Sequence, residues 1–166
     1  MSHINFHNLS KTKSDNYETP KQVWEDIAPY VNREFVIYEP FYCSGASGKF
    51  LNEIGFKNVI HEDVDFFTNS FKFDMIISNP PYSSLKKILT RIVTIDKPFM
   101  LLMPITLLSK QYFKKVFAGK KVQLLIPKKR IHFSNVECKS TGTSKSYFDT
   151  CWFCYGINLP NDITFL

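Results

Sequence analysis

The chain has 166 residues, 44% hydrophobic and 16% aromatic, a content that excludes a disordered polymer and suits a single core, since a chain of this length buries about two-thirds of its unfolded surface. No run approaches the roughly 20 apolar residues that cross a bilayer, and the opening MSHIN lacks the basic start and apolar stretch of an export signal. A soluble intracellular protein without a membrane partner, its cysteines reduced, is therefore expected. The net charge of +6 is uneven: between Asp96 and Glu137 lie Lys97, Lys110, Lys114, Lys115, Lys120, Lys121, Lys128, Lys129 and Arg130 with no acidic residue among them, the kind of field that attracts a polyanion.

In chain order, residues 1–16 are polar and aperiodic and are expected to form a flexible leader to one domain over 17–166. Thr19-Pro20 predicts a helix start, the threonine hydroxyl capping free amides and the proline taking the first helical position. That helix should run to about 31 with Val23, Trp24, Ile27 and Tyr30 on one face. Strand-like runs at 34–41, 58–62, 74–78, 99–104 and 122–127 then alternate with helical stretches at 46–54, 83–95 and 105–117. Such alternation predicts an α/β fold, a mostly parallel Rossmann-like sheet covered by helices. Residues 134–146 read as a long polar loop, and 149–157 as a last strand of aromatics and cysteines.

Ligands of an open parallel sheet bind beyond the carboxyl ends of its strands, and three strand ends carry chemistry. The first is Glu39-Pro40-Phe41-Tyr42-Cys43-Ser44-Gly45, an acid followed by a glycine turn that opens a helix. Gly45 permits close backbone approach, and Glu39 suits a cationic amine or a hydroxyl, where a phosphate would call for basic residues. The second is His61-Glu62-Asp63-Val64-Asp65-Phe66. Asp63, or else Glu62, is placed to accept from ribose hydroxyls, and Asp65 from an adenine amino group, with Phe66 against the ring. The third is Asn79-Pro80-Pro81-Tyr82, closing the run that begins at Phe73. Two prolines fix the backbone and remove two donors, so the Asn79 oxygen and the Pro80 carbonyl can hold the two hydrogens of a planar amino group while Tyr82 stacks on the attached ring.

Taken together, these segments resemble the class I methyltransferases of the amino-group type, whose pattern is an acidic-Pro-Phe-x-Gly-x-Gly turn followed by Asn-Pro-Pro-Tyr. Tyr17-Glu18-Thr19-Pro20 resembles the motif before the cofactor strand of adenine-N6 DNA methyltransferases. Pro127-Lys128-Lys129-Arg130-Ile131-His132-Phe133 is similar to segments of short phage- and virus-type members. The resemblance implies S-adenosyl-L-methionine as cofactor, at Tyr17, Thr19, Pro20, Glu39, Phe41, Gly45, Glu62, Asp63, Asp65, Phe66 and Asn79. It also implies a target adenine at Asn79, Pro80, Pro81 and Tyr82, and an antiparallel last strand in the sheet.

The chain departs from the pattern in two places. Cys43 stands where the family has glycine, and only residues 64–72 separate the second strand from the catalytic one, so the family's third strand is expected to be missing or vestigial. No segment is large enough to form a separate target-recognition domain, which makes a protein partner the expected source of specificity. DNA is the favoured polyanion, with Lys110, Lys114, Lys115, Lys128, Lys129 and Arg130 at its phosphates. The same tetrapeptide also suits methylation of guanine amino groups in RNA or of a glutamine amide in protein, and the fold alone suits a non-catalytic subunit. A zinc reading of His132, Cys138, Cys151 and Cys154 meets the objection that residues three apart on a strand face opposite sides, and no metal is expected.

Overall fold

The periodicity of the central segments is that of strands buried on both faces: Met75, Ile76, Ile77 and Ser78 are all buried, as is every residue from Phe99 to Pro104. In the computed structural model, which describes residues 17–135 and 149–166, these runs lie in a seven-stranded sheet. Its members are β2 (Val36–Tyr38), β3 (Asn58–Ile60), β4 (Met75–Ser78), β5 (Phe99–Pro104), β6 (Val122–Ile126), β8 (Thr150–Tyr155) and β9 (Ile163–Phe165), in the spatial order β3-β2-β4-β5-β8-β6-β9. All are parallel except β8, which is antiparallel to β5 and β6 on either side. The expected α/β sheet with an antiparallel late strand is thus the fold, and no strand lies between β3 and β4 in the chain: the third strand is missing, and residues 61–73 connect directly.

Side chains alternate between the two faces of the sheet and build two apolar layers. Ile37, Met75, Ile77, Met100, Leu102, Trp152 and Cys154 meet Trp24 and Ile27 of α1 (Lys21–Ile27) and Leu51 of α2 (Ala46–Glu53). Tyr38, Ile76, Phe99, Leu101, Cys151 and Phe153 meet α3 (Leu85–Ile95) and α4 (Gln111–Val116) on the other side. In α3 the spacing of Leu85, Ile88, Leu89 and Ile92 puts all four on the buried face; each such side chain contributes about 1.5–3 kcal/mol by leaving water. Cys151 and Cys154 belong to opposite layers, as strand alternation requires.

Local chemistry shortens several predicted elements. The first helix stops at Ile27 and tightens into a 3-10 turn over Ala28–Tyr30, where Pro29 has no amide to continue the ladder. The predicted helix over 105–117 is split into a 3-10 turn, Ile105–Ser109, and α4, with extended backbone at Lys110 between them. β2 covers only Val36–Tyr38 of the predicted 34–41 run, because the chain turns away at Pro40. Beyond β8 an unforeseen strand, β9, extends the sheet parallel to β6. A two-residue ribbon also pairs β1 (Tyr17–Glu18) with β7 (Ser134–Asn135). The expected leader, 1–16, and the part of the expected loop from 136 onward, with Cys138, lie outside the described residues. No helix among the described residues is long and apolar enough to cross a membrane.

Candidate active site

After β2 the chain passes to β3 on one side and returns to β4 on the other, which opens a crevice at the carboxyl ends of β2 and β4. Glu39 leaves β2 at this point. It is 2% exposed, and its Oε1 accepts from Ser78 Oγ at 2.6 Å and from the Phe41 amide at 3.0 Å. Burial pushes its carboxyl up to about 8, against the pull of the hydrogen bonds from Ser78, Phe41 and Ser47.

The turn that follows is held from several sides. The Gly45 amide donates to the Tyr42 carbonyl at 2.7 Å, and Gly45 enters α2 at φ +80°, where a side chain would crowd the Tyr42 ring. Cys43 is also left-handed, at φ +48°. Ser44 Oγ donates to Glu18 Oε2 at 3.0 Å and so ties β1 to the turn. Beneath the turn lies His61: its Nδ1 donates to the Glu39 carbonyl at 2.9 Å, Nε2 lies 3.4 Å from Ser47 Oγ, and the ring stacks on Tyr42 at 4.8 Å. Burial holds its imidazole below the usual histidine value.

Asn79 closes the other side. Its Nδ2 donates to Thr19 Oγ1 at 2.9 Å, while Oδ1 is buried and has no hydrogen-bond partner. Thr19 therefore does not cap α1, whose N-terminus carries no side-chain cap; its hydroxyl serves the amide instead, and its carbonyl accepts from Trp24 Nε1 at 3.4 Å. Tyr17, Glu18, Thr19, Trp24, Glu39, Phe41, Tyr42, Cys43, Ser44, Ser47 and Asn79 line a cleft that opens to solvent.

No protein-family model matches the chain, and no curated protein matches it. Among solved structures it is similar to a "putative methyltransferase from Thermoplasma acidophilum", at 11% identity and a TM-score of 0.39, over 80% of this chain and 72% of that one.

Of the residues singled out in the sequence, Tyr17, Thr19, Glu39, Phe41 and Asn79 come together around the cleft, and Gly45 shapes its turn. Pro20 is the residue preceding α1. Glu62 and Asp63 are exposed in the turn after β3 and do not line the cleft. Asp65 Oδ1 accepts from the Phe67 amide of its own turn at 2.9 Å, and Phe66 is buried, 5.4 Å from the Phe41 ring. Pro80 and Pro81 are buried, and the Pro81 carbonyl accepts from the Ser84 amide. β5 continues to Pro104 while β4 pairs no further than Leu101, and the Tyr82 hydroxyl donates to the Leu102 carbonyl in that gap, at 3.3 Å.

The basic residues divide. Because β5 and β6 run parallel to β4, Lys110, Lys128, Lys129 and Arg130 follow strand ends on the edge that carries the cleft, whereas Lys114 and Lys115 lie in the last turn of α4. Arg130 Nε is 3.2 Å from Asp149, while the five lysines take part in no ion pair among the described residues. Sequence reasoning assigned no role to Ser78, Ser47 and Ser44. The available signal was Ser78 itself, a hydroxyl at a position where the run demands an apolar side chain.

Proposed function

We propose that the chain is an S-adenosyl-L-methionine-dependent N-methyltransferase acting on the exocyclic N6 amino group of adenine in nucleic acid, with DNA favoured. The observation that carries this reading is the buried Asn79 Oδ1, an acceptor without a partner in an amide that Thr19 holds in place. A planar amino group presents two hydrogens to such an acceptor.

The cleft residues fit the cofactor. Glu39 suits its cationic amine, the Gly45 turn lets backbone approach it, and Tyr17, Thr19 and Phe41 enclose it. Bound there, it supplies an electrophilic methyl group. The chain's own contribution is positioning, the largest rate effect available where no covalent enzyme intermediate is needed. Asn79 Oδ1 draws the amino group in and orients the nitrogen lone pair, Pro80 and Pro81 stiffen the backbone beneath it, and Tyr82 offers a ring to the base. A base within a duplex cannot reach such a pocket, so the target is flipped out or unpaired. Lys110, Lys128 and Lys129 serve its phosphates, and a protein partner supplies sequence recognition.

Incubation with tritium-labelled S-adenosylmethionine and separate DNA, RNA and protein pools, followed by nucleoside analysis, tests this. Label in N6-methyladenine is expected. Label in RNA guanine or in protein glutamine would replace the substrate while keeping the chemistry, and no transfer with no cofactor binding would make the chain a non-catalytic subunit.

A further inference from the structure

Ser78 has no part in the chemistry above, yet it is fully buried, in a strand whose other members are Met75, Ile76 and Ile77. A hydroxyl there needs a partner, and it finds one across the crevice between β4 and β2. Oγ donates to Glu39 Oε1 at 2.6 Å, and the same oxygen takes the Phe41 amide at 3.0 Å. Both bonds fall on Oε1, and Ser47 adds a further hydrogen bond to the carboxyl group. Ser78 also directly precedes Asn79, so one peptide unit joins the hydroxyl that sets the carboxylate to the amide that closes the cleft.

We propose that Ser78 is the positioning residue for Glu39: its hydroxyl fixes the carboxylate and favours the ionised form that holds a cationic amine, linking that binding to the placement of Asn79. The proposal rests on the cofactor reading of the same cleft.

Among the described residues, no lysine or arginine lines the cleft. Hydrogen bonds, with Ser78's the strongest, therefore oppose the burial that drives the Glu39 carboxyl up to about 8. Other titratable groups face it from each neighbouring element. Tyr38 precedes it and is pushed up to about 12, largely by burial. His61 donates to its carbonyl and is lowered by burial, and Cys43 is raised by burial. Glu18, Tyr17 and Tyr42 lie across the cleft.

The test uses the full chain in two arms. In the first, the free protein is labelled with carbon-13 at its glutamate carboxyls, and the Glu39 signal, assigned by its loss in Glu39→Gln, is titrated. Ser78→Ala is expected to raise the midpoint by about one pH unit, and Ser78→Cys, a weaker donor, by less. An unmoved midpoint would falsify the proposal; if Ser78→Ala does not fold, Ser78→Cys carries the measurement. In the second arm, calorimetry follows S-adenosylmethionine binding from about pH 6 to about pH 9. Ser78→Ala is expected to weaken binding about tenfold below the wild-type midpoint, with the loss shrinking as pH rises. An equal loss at every pH marks a merely structural role and overturns the proposal. Wild-type protein that binds no cofactor overturns the cofactor reading itself, whereas wild-type binding with an unmoved Glu39 midpoint in Ser78→Ala overturns only the role of Ser78.

Discussion

Asn79 is oriented by a residue from the far side of the cleft: its Nδ2 donates to Thr19 Oγ1 at 2.9 Å, and its buried Oδ1 remains an acceptor in waiting. Asn79→Ala removes that acceptor and is expected to lower methyl transfer at least about a hundredfold, with cofactor affinity changed only a few-fold. Thr19→Val keeps the shape but loses the hydroxyl, and should cost about tenfold in kcat, or about 1.4 kcal/mol. Single-turnover transfer beside calorimetric cofactor binding separates the two effects. Full activity in Asn79→Ala would remove the residue from its assigned role.

Cys43 sits at φ +48°, where a side chain costs about 1–2 kcal/mol relative to the right-handed form. Glycine removes that strain and adds a smaller entropic cost in the unfolded chain, so Cys43→Gly should stabilise by about 0.5–1 kcal/mol. The β-branched Cys43→Val should destabilise by about 1–2 kcal/mol. Thermal unfolding of the two variants should shift in opposite directions; a drop in both would mean that the thiol itself stabilises the turn.

A Cβ at Gly48 would fall well inside contact distance of His61 Cδ2. Gly48→Ala therefore forces the imidazole out of its place between Ser47 and the Glu39 carbonyl, at about 1–3 kcal/mol. A lowered unfolding midpoint together with a displaced His61 imidazole resonance is expected. An unchanged resonance would show that the backbone of α2 yields instead.

Glu39 gives the fold a distinctive pH dependence. Its value rises from 4.5 in the unfolded chain to about 8 in the folded one, mainly through burial. Its contribution is thus fully present below about 4.5 and is lost as pH climbs through about 8, because the unfolded state ionises first. Across that window the wild type should lose stability relative to Glu39→Gln by on the order of a few kcal/mol. Urea unfolding of both proteins at several pH values measures this, and parallel curves would refute it.

If Lys128 and Lys129 meet phosphates, neutralising them should weaken oligonucleotide binding irrespective of sequence. The slope of log affinity against log salt should also fall by about 1 for each lysine replaced by glutamine. Fluorescence anisotropy across a salt series gives the slope. A fall in affinity at constant slope would mean that the lysines act through packing.

Much of the architecture was legible because each central strand is an apolar run stopped by chemistry: 99–104 is β5 as predicted, and 74–78 differs from β4 only at Asp74. The missing third strand followed from the shortness of 64–72. What stayed hidden depends on elements crossing in space. Thr19 reads as a helix cap until β4 brings Asn79 to its hydroxyl. Ribbons of two residues such as β1 and β7 carry no periodicity to detect.

That ribbon sets the order in which the cleft can be built. Tyr17 and Glu18, which form its front wall, are anchored on Asn135 and Ser134, more than a hundred positions later in the chain. Contacts of such sequence separation form late, after loop closure has been overcome. The front wall of the cleft therefore depends on a contact between distant parts of the chain rather than on its local sequence.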